Sequence, residues 1–249
     1  MANAYKFPTE MVELPSKGYF YPEGHPLASG RVEVKYMTAK EEDILTSQNL
    51  IEQGIVIDKL MESLIVDKSI KLDDMLVGDK NAIMVAARIL GYGKDYEFTY
   101  DGEEHKVDLS KLEPMNIDFS KYTKGKNEFE FKLPNSERSI TFKLLSGKDE
   151  KDIASELKAR EKISKEQSSE LTTRLKMMIL SVDGKSEKSY INNFVDNEFL
   201  SIDSFAFRQH LSSITPDVDM STTVVDAGGK EIEVTIPVTV RFFWPSADV

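Results

Sequence analysis

Residues 231–244 read EIEVTIPVTVRFFW, and this stretch carries a strong period-two pattern. From Ile232 to Trp244 every even-numbered position is apolar, while the charged residues of the stretch occupy odd-numbered positions. Successive side chains of a β-strand point to opposite faces, so this period predicts a long, half-buried strand. Residues 218–224 alternate in a similar way and can pair with this strand across the turn at 227–229. We therefore predict a C-terminal β-hairpin.

The aromatic residues at the end of this stretch follow the same alternation. Phe242 and Trp244 share the apolar face with the valines, and burying the tryptophan is worth about 4–6 kcal/mol. We therefore predict that these two side chains complete the core. Phe243 points to the opposite face, where we expect it to be exposed and able to contact a partner. Pro237 has no amide proton to donate, which favours an edge strand or a β-bulge.

Helical patterns account for many of the remaining apolar residues. Thr38 and Glu41 form a capping box that predicts the start of a helix, and Ser164 with Gln167 predicts another helix that ends at Gly184. The other helices are predicted at roughly 57–65, 79–93, 147–170, 190–195 and 202–214.

Two further hairpins are predicted from alternating residues around turn signals. Residues 96–100 return across the Asp101-Gly102 turn, and residues 129–133 pair with 140–144. Residues 31–36 form a half-buried strand, whereas 108–127 are expected to be an irregular connection. The fold class predicted from these elements is α+β, with helices packed against antiparallel β-hairpins that include a long C-terminal one.

A change of composition near residue 146 divides the chain into two predicted regions. Thirteen of the 24 residues from 147 to 170 are charged, and Ile153, Leu157 and Ile163 are the large apolar ones. We predict a solvated helix packed by one edge, with a partner-docking helix as the alternative. Region 1–145 holds an extended arm, helices and two hairpins, and region 146–249 is helical and closed by the C-terminal hairpin.

The arm is the stretch 14–30, in which three prolines and three glycines predict extended backbone with turns. Tyr19, Phe20 and Tyr21 lie in its middle. Two interpretations remain open for this trio, since the rings can dock a partner or pack on the core of the protein itself. Together with Phe243, these three residues are the candidate partner-binding residues.

The composition argues against several classes of function. With 249 residues, of which 40% are hydrophobic, the chain can bury a core without disulfides or a structural metal. A net charge of −11 and the lack of a basic stripe argue against nucleic-acid binding. The absence of cysteine removes disulfides and thiolate sites and suits a reducing compartment. The most apolar stretch, 82–90, is too short to span a membrane, and we expect no signal peptide.

Catalytic and cofactor motifs are not found in the sequence. His25, His105 and His210 lie far apart and lack the spacing of metal ligands. GYGKDY at 91–96 has only two glycines of a dinucleotide fingerprint, and DVDMSTTVVDAG at 217–228 lacks the turn glycine and the glutamate of a calcium loop. We therefore predict that the protein is not an enzyme and has no catalytic, cofactor-binding or metal-binding residue.

Four segments in combination resemble a known family. They read ELPSKGYFYPEG (13–24), RVEVKYMTAKEEDIL (31–45), ARILGYGKDYEF (87–98) and IPVTVRFFWP (236–245). This pattern is similar to the baseplate hub assembly family of T-even-type bacteriophages, and it covers nearly the whole chain. Relatives can carry cysteine pairs that bind zinc, whereas the corresponding segments here, YDGEEH and VDAGGKE, have none. The resemblance therefore implies no zinc site in this chain.

Members of that family are either assembly catalysts or chaperones that leave the finished particle, or subunits of the hub. The length of the chain favours an assembly factor. The resemblance thus implies a non-enzymatic factor that promotes assembly of the baseplate hub of a contractile tail by binding hub or tail proteins transiently in the host cytoplasm.

Two alternatives remain open. One is a structural subunit that is retained in the virion baseplate, and the other is an enzyme, such as a peptidase or an isomerase, that acts on tail proteins. The predicted contact surfaces are the arm, the charged helix from Gly147 and the C-terminal hairpin near Phe243. The sequence indicates neither the subunit that is contacted nor the oligomeric state.

Overall fold

The fold belongs to the α+β class that the sequence predicts. A computed structural model describes residues 7–161, 169–225, 228–238 and 240–243, without the side chains of 240 and 241. The α-helices are α1 (Ala39–Leu45), α2 (Gln48–Gln53), α3 (Val56–Leu64), α4 (Val77–Tyr92), α5 (Gly147–Glu161), α6 (Glu170–Met178), α7 (Lys188–Asn193) and α8 (Ser201–Ile214). The strands are β1 (Thr9–Glu13), β2 (Arg31–Lys35), β3 (Asp95–Tyr100), β4 (Glu103–Asp108), β5 (Phe129–Lys132), β6 (Ser139–Phe142), β7 (Ile179–Val182), β8 (Ser221–Val225) and β9 (Glu231–Thr235). In this described part of the chain, no helix is both long and apolar enough to cross a membrane.

The named strands form four small antiparallel sheets around one core. Three sheets are the pairs β1–β2, β3–β4 and β8–β9, and the fourth has the order β5–β6–β7. Strands and helices contribute to one cluster of buried apolar side chains, which runs along the sequence from Leu14 to Phe243. Helix α4 packs against β1, β2 and α3, and its Ile83 and Ala87 are fully buried.

The two hairpins predicted between residues 96 and 144 are confirmed. Phe98 lies opposite His105 in the first, and Phe129 lies opposite Phe142 in the second. Asp101 and Gly102 have φ angles of 50° and 82°, so the turn has the left-handed backbone that tight hairpins require. The connection between the hairpins contains two short 3₁₀ turns, in line with the irregular segment that was expected.

The third strand of the larger sheet corrects a sequence prediction. The helix expected to continue to Gly184 ends at Met178, and Ile179–Val182 form β7. This strand pairs with β6, where the hydroxyls of Thr141 and Ser181 lie 2.7 Å apart. The capping pair at 164 and 167 lies outside the described residues. Because β6 precedes residue 146 and β7 follows it, the two predicted regions share a sheet.

The C-terminal hairpin is confirmed, but its second strand is shorter than the alternation predicts. Strand β9 ends at Thr235, and after one more bond, from the Ile236 amide to the Met220 carbonyl (2.8 Å), Pro237 follows without an amide proton. Residues 240–243 then form a 3₁₀ turn. Neighbouring side chains of a 3₁₀ turn point about 120° apart, whereas those of a strand point to opposite faces. Phe242 and Phe243 can therefore both reach the core.

The prediction that Phe243 is exposed is therefore wrong. Phe242 and Phe243 are both fully buried, with ring centroids 5.3 Å apart. Phe242 also packs edge-on against Tyr96, with the ring centroids 4.9 Å apart. The burial predicted for Phe242 is thus confirmed, while Trp244 lies outside the described residues.

Residues 14–30 do not form an extended arm but a compact connection between β1 and β2, which we call loop 14–30. Its turns close tightly, because a Cβ atom on Gly30 would lie 2.6 Å from the backbone of Lys17. The buried carboxylate of Asp79 in α4 accepts hydrogen bonds from the Ser16 amide (2.9 Å), the Ser16 hydroxyl (2.6 Å) and the Tyr21 hydroxyl (2.6 Å). This long-range contact draws the loop onto the helix.

The capping box of α1 is confirmed. Glu41 is fully buried and accepts hydrogen bonds from the Thr38 amide (2.9 Å), the Thr38 hydroxyl (2.6 Å), Lys35 (2.7 Å) and Ser63 (2.7 Å). Burial alone would raise the pKa of Glu41, but these hydrogen bonds outweigh it and lower the pKa to about 2. Glu41 therefore joins α1 to β2 and α3 as a carboxylate.

Candidate protein-binding surface

The aromatic trio that the sequence nominates for partner binding lies mainly inside the protein. Phe20 is 2% exposed, and its ring centroid lies 5.1 Å from that of Phe129. Tyr19 is half-buried and donates a hydrogen bond to the carbonyl of Tyr122 (3.0 Å). Tyr21 is buried as well. Of the two interpretations left open, packing on the protein's own core is the one observed.

The structure does not bring Phe243 to this trio. Phe243 packs on Phe242, which lies beside β3, whereas Tyr19 and Phe20 pack on the ring of Phe119. The four nominated residues therefore do not form one exposed surface in this conformation.

The polar cluster beneath Tyr21 combines a hydroxyl pair with a carboxylate, a combination that occurs in active sites. Burial raises the pKa of Tyr21 and also that of Asp79, because neither charged form is well solvated there. Ser16 and Asp79 are fully buried, and the Tyr21 hydroxyl also accepts the Leu76 amide (2.9 Å). A substrate has no access to these atoms, so the cluster holds loop 14–30 to α4.

The charged helix predicted over 147–170 is described up to Glu161 as α5, and this part matches the solvated interpretation. Residues 162–168, which include Ile163, lie outside the described residues. Gly147, Asp149 and Ile153 are the buried residues of α5, and most of the others face solvent. Its charges form ion pairs with neighbouring elements, for example Glu150 with Arg174 (2.6 Å). This pair is partly exposed, so solvent screens much of its attraction. No large apolar side chain of residues 147–161 is exposed, so this part of the helix offers no apolar face to a partner.

An exposed apolar surface lies instead at the start of α8. Leu200, Ile202 and Phe205 are 50%, 59% and 53% exposed, within six residues of one another in the sequence. We call these three residues the α8 patch. The guanidinium of Arg208 lies 5.8 Å from the centre of the Phe205 ring and adds a cationic edge. Aromatic and arginine side chains are the residue types enriched in the centres of protein interfaces.

A buried carboxylate sets the orientation of this helix. Asp203, in the first turn of α8, accepts hydrogen bonds from the Asn135 amide (2.8 Å), the Asn135 side chain (3.0 Å) and the Ser136 amide (2.9 Å). Burial would raise the pKa of Asp203, yet these donors outweigh it and lower the pKa below its usual range. The helix start is thereby fixed to the turn between β5 and β6.

The opposite face of α8 is anchored by aromatic packing. Phe207 is fully buried, and its ring centroid lies 4.9 Å from that of Phe142. Phe199, just before the helix, stacks on Phe194 with a centroid distance of 5.0 Å. Because Asp203 and Phe207 point inward, Ile202 and Phe205 are held on the outside of a well-supported helix.

The sequence predictions missed this patch, although a signal for it exists. The stretch FLSIDSFAF (199–207) has more apolar residues than one helical stripe can hold, and Asp203 lies between them. A helix that buries Phe207, Leu211 and Ile214 must place Ile202 on another face. The surplus of apolar residues therefore indicates an exposed pair.

Other types of site are not indicated in the part of the chain that the structure describes. No group of three or more His, Asp or Glu side chains is arranged to hold a metal ion there. The other large exposed apolar residues are spread over several strands, helices and connections, and they are Phe7, Met11, Ile51, Val66, Tyr100, Leu171 and Val225. Scattered apolar residues are ordinary on protein surfaces, whereas a contiguous group is typical of a binding site.

Compared with known proteins, the chain matches no model of a protein family, no curated protein and no solved structure.

Proposed function

We propose that this protein is a non-enzymatic assembly factor of a contractile phage tail, which binds subunits of the baseplate hub or tail transiently in the host cytoplasm. The observation that carries the proposal is the α8 patch, because its three large apolar side chains are exposed on a helix whose other face is fixed in the core. The resemblance of four sequence segments to the hub assembly family supplies the type of partner.

The size of the patch suits a transient contact. Burying a large apolar side chain completely is worth about 1.5–3 kcal/mol, so three half-exposed ones offer about 2–5 kcal/mol. Association costs at least about 4 kcal/mol in lost translational and rotational freedom. The patch alone therefore gives weak binding and needs a second contact, which is what a factor that is released later requires.

The test replaces the two outermost side chains of the patch. We expect the double variant Ile202→Ser, Phe205→Ser to keep the melting temperature of the wild type, because both side chains are more than half exposed. It should lose co-purification with identified hub or tail subunits from infected cells, and it should fail to complement a phage that lacks this protein. Normal complementation by the double variant would refute the role of the patch.

Met11→Ser is the matched control. Met11 is 57% exposed, which is close to the exposure of the patch residues, but it lies on β1. We expect this variant to assemble tails normally. Equal defects in the control and in the double variant would show that surface hydrophobicity in general, and not the α8 patch, is what matters.

The alternative within the same class of function is a subunit that stays in the baseplate. The same patch can serve a permanent interface, so the two are separated by mass spectrometry of purified particles. We expect the protein to be absent from them or far below the level of the hub subunits. A stoichiometric amount would show that it is a structural component.

A further inference from the structure

A groove lies at the far end of α8 from the patch, between α4 and the C-terminal hairpin. It is open to solvent and has a volume of about 540 Å³, and its walls are mainly apolar, with a carboxylate and an amide among its polar groups. The lining includes Asn81, Met84, Asp217, Met220, Pro237 and Val238. We call this feature the Asp217 groove. Helix α8 has 14 residues, so about 20 Å separates the groove end of the helix from the patch end.

The position of Asp217 depends on a close contact with α4. A Cβ atom on Gly78 would lie 1.9 Å from the carbonyl oxygen of Pro216, so only glycine lets this backbone approach the helix. The Asp217 carbonyl accepts the Met115 amide (2.8 Å), which fixes the segment from the other side. The carboxylate is thereby held beside Asn81, one turn further along α4.

The carboxylate of Asp217 is incompletely neutralised. The Asn81 side chain donates to both of its oxygens (3.1 Å each), and the Val218 amide donates to one of them (2.7 Å). Among the described residues, no lysine, arginine or histidine forms an ion pair with it; Lys80, next to Asn81 in the sequence, pairs with Asp58 (2.5 Å). Burial raises the pKa of Asp217, because the charged carboxylate is less well solvated there than in water.

A second acidic residue, Asp79, lies close enough to Asp217 to feel its charge. Asp79 is fully buried in the first turn of α4 and has hydroxyl and amide donors but no cation among the described residues. The charge of Asp217 contributes to the raised pKa of Asp79, after the larger effect of burial. The two acidic groups are therefore close enough to interact, and Asp217 is the one that lines the groove.

We propose that the Asp217 groove receives an arginine side chain of the partner protein. The proposal rests on the function proposed above, because it supplies the second contact that the α8 patch needs. A planar guanidinium can donate to both oxygens of one carboxylate, and it is more weakly hydrated than an ammonium group. The thioether and methyl groups of Met84, Met220 and Val238 offer an apolar lining for its aliphatic stem.

The test uses the isolated full chain and a small probe, so it does not depend on the identity of the partner. N-acetyl-argininamide is titrated into protein carrying ¹³C-labelled methionine methyl groups, and NMR follows Met84 and Met220. We expect saturable shifts of these two methyl signals in the millimolar range, while the signal of the buried Met61 stays unchanged. N-acetyl-citrullinamide, which has nearly the same shape without the charge, should bind at least tenfold more weakly.

Two variants complete the experiment. Asp217→Asn should reduce the affinity for the arginine probe to the level of the citrulline probe, whereas Asp219→Asn, an exposed carboxylate two residues away, should leave it unchanged. Equal shifts with both probes in the wild type would overturn the proposal, whether or not the variants fold. Failure here would leave the α8 patch experiment intact, since that experiment changes residues at the other end of α8.

Discussion

Replacing Phe20 by alanine distinguishes a free arm from a packed loop. Phe20 is 2% exposed and lies within 6.0 Å, centroid to centroid, of the rings of Tyr19, Phe119, Tyr122 and Phe129. Truncating a buried phenylalanine costs about 3–5 kcal/mol, from lost transfer energy and the cavity left behind. For a chain of 249 residues this corresponds to a drop of about 6–20 °C in the melting temperature.

The measurement is urea and thermal denaturation followed by circular dichroism, with Phe205→Ala as the matched control. The same atoms are removed from Phe205, but its side chain is 53% exposed, so we expect a change within about 0.5 kcal/mol. A loss below about 1 kcal/mol for Phe20→Ala would refute the packing of loop 14–30 and restore the free arm. Equal losses in the two variants would refute the difference in burial on which the α8 patch depends.

Two further predictions concern α4 and α1. Gly78→Ala should lower the free energy of unfolding by about 1–3 kcal/mol in urea titrations, because the added Cβ would lie 1.9 Å from the backbone of Pro216. In the control Gly91→Ala the added Cβ meets only the flexible side chain of Met37, so we expect almost no change. Equal effects of the two substitutions would contradict the close contact at Gly78. Since the folded state lowers the pKa of Glu41 from 4.5 to about 2, its stabilising effect is complete above pH 4.5 and is lost as the pH falls toward 2. Thermal melts at pH 6 and pH 3 measure how much stability each protein loses on acidification. We expect the wild type to lose about 1–2 kcal/mol more than Glu41→Gln, after allowance for solvent screening. Equal losses in the two proteins would contradict the role of Glu41.

Local signals explain which parts of the fold the sequence predicts correctly. The pair Thr38 and Glu41 caps its own helix, and Asp101 with Gly102 supplies the backbone of its own turn, so neighbouring residues determine both features. The strand β7 is different. Ile179 fits a helical stripe as well as a strand, and pairing with β6, about 40 residues earlier, decides between them.

The same distinction applies to the candidate site. Composition predicts an extended arm at 14–30, but the carboxylate that gathers this loop comes from Asp79, far along the chain. The exposure of Ile202 and Phe205 depends on which face of α8 turns inward. The local surplus of apolar residues at 199–207 indicates that some of them are exposed, but Asp203 selects the inward face through donors 67 and 68 residues away.

The contacts of α4 and β3 with residues 216–237 also impose an order on folding during synthesis. Asn81 bonds to Asp217, 136 residues later, and Tyr96 donates to the Pro237 carbonyl, 141 residues later. At ribosomal speeds of about 5–20 residues per second, these C-terminal residues are synthesised roughly 7–30 seconds after their partners. Until residues 216–237 have been synthesised, Gly78 and Met84 lack the neighbours that these residues provide, so we expect the nascent chain to expose this side of α4.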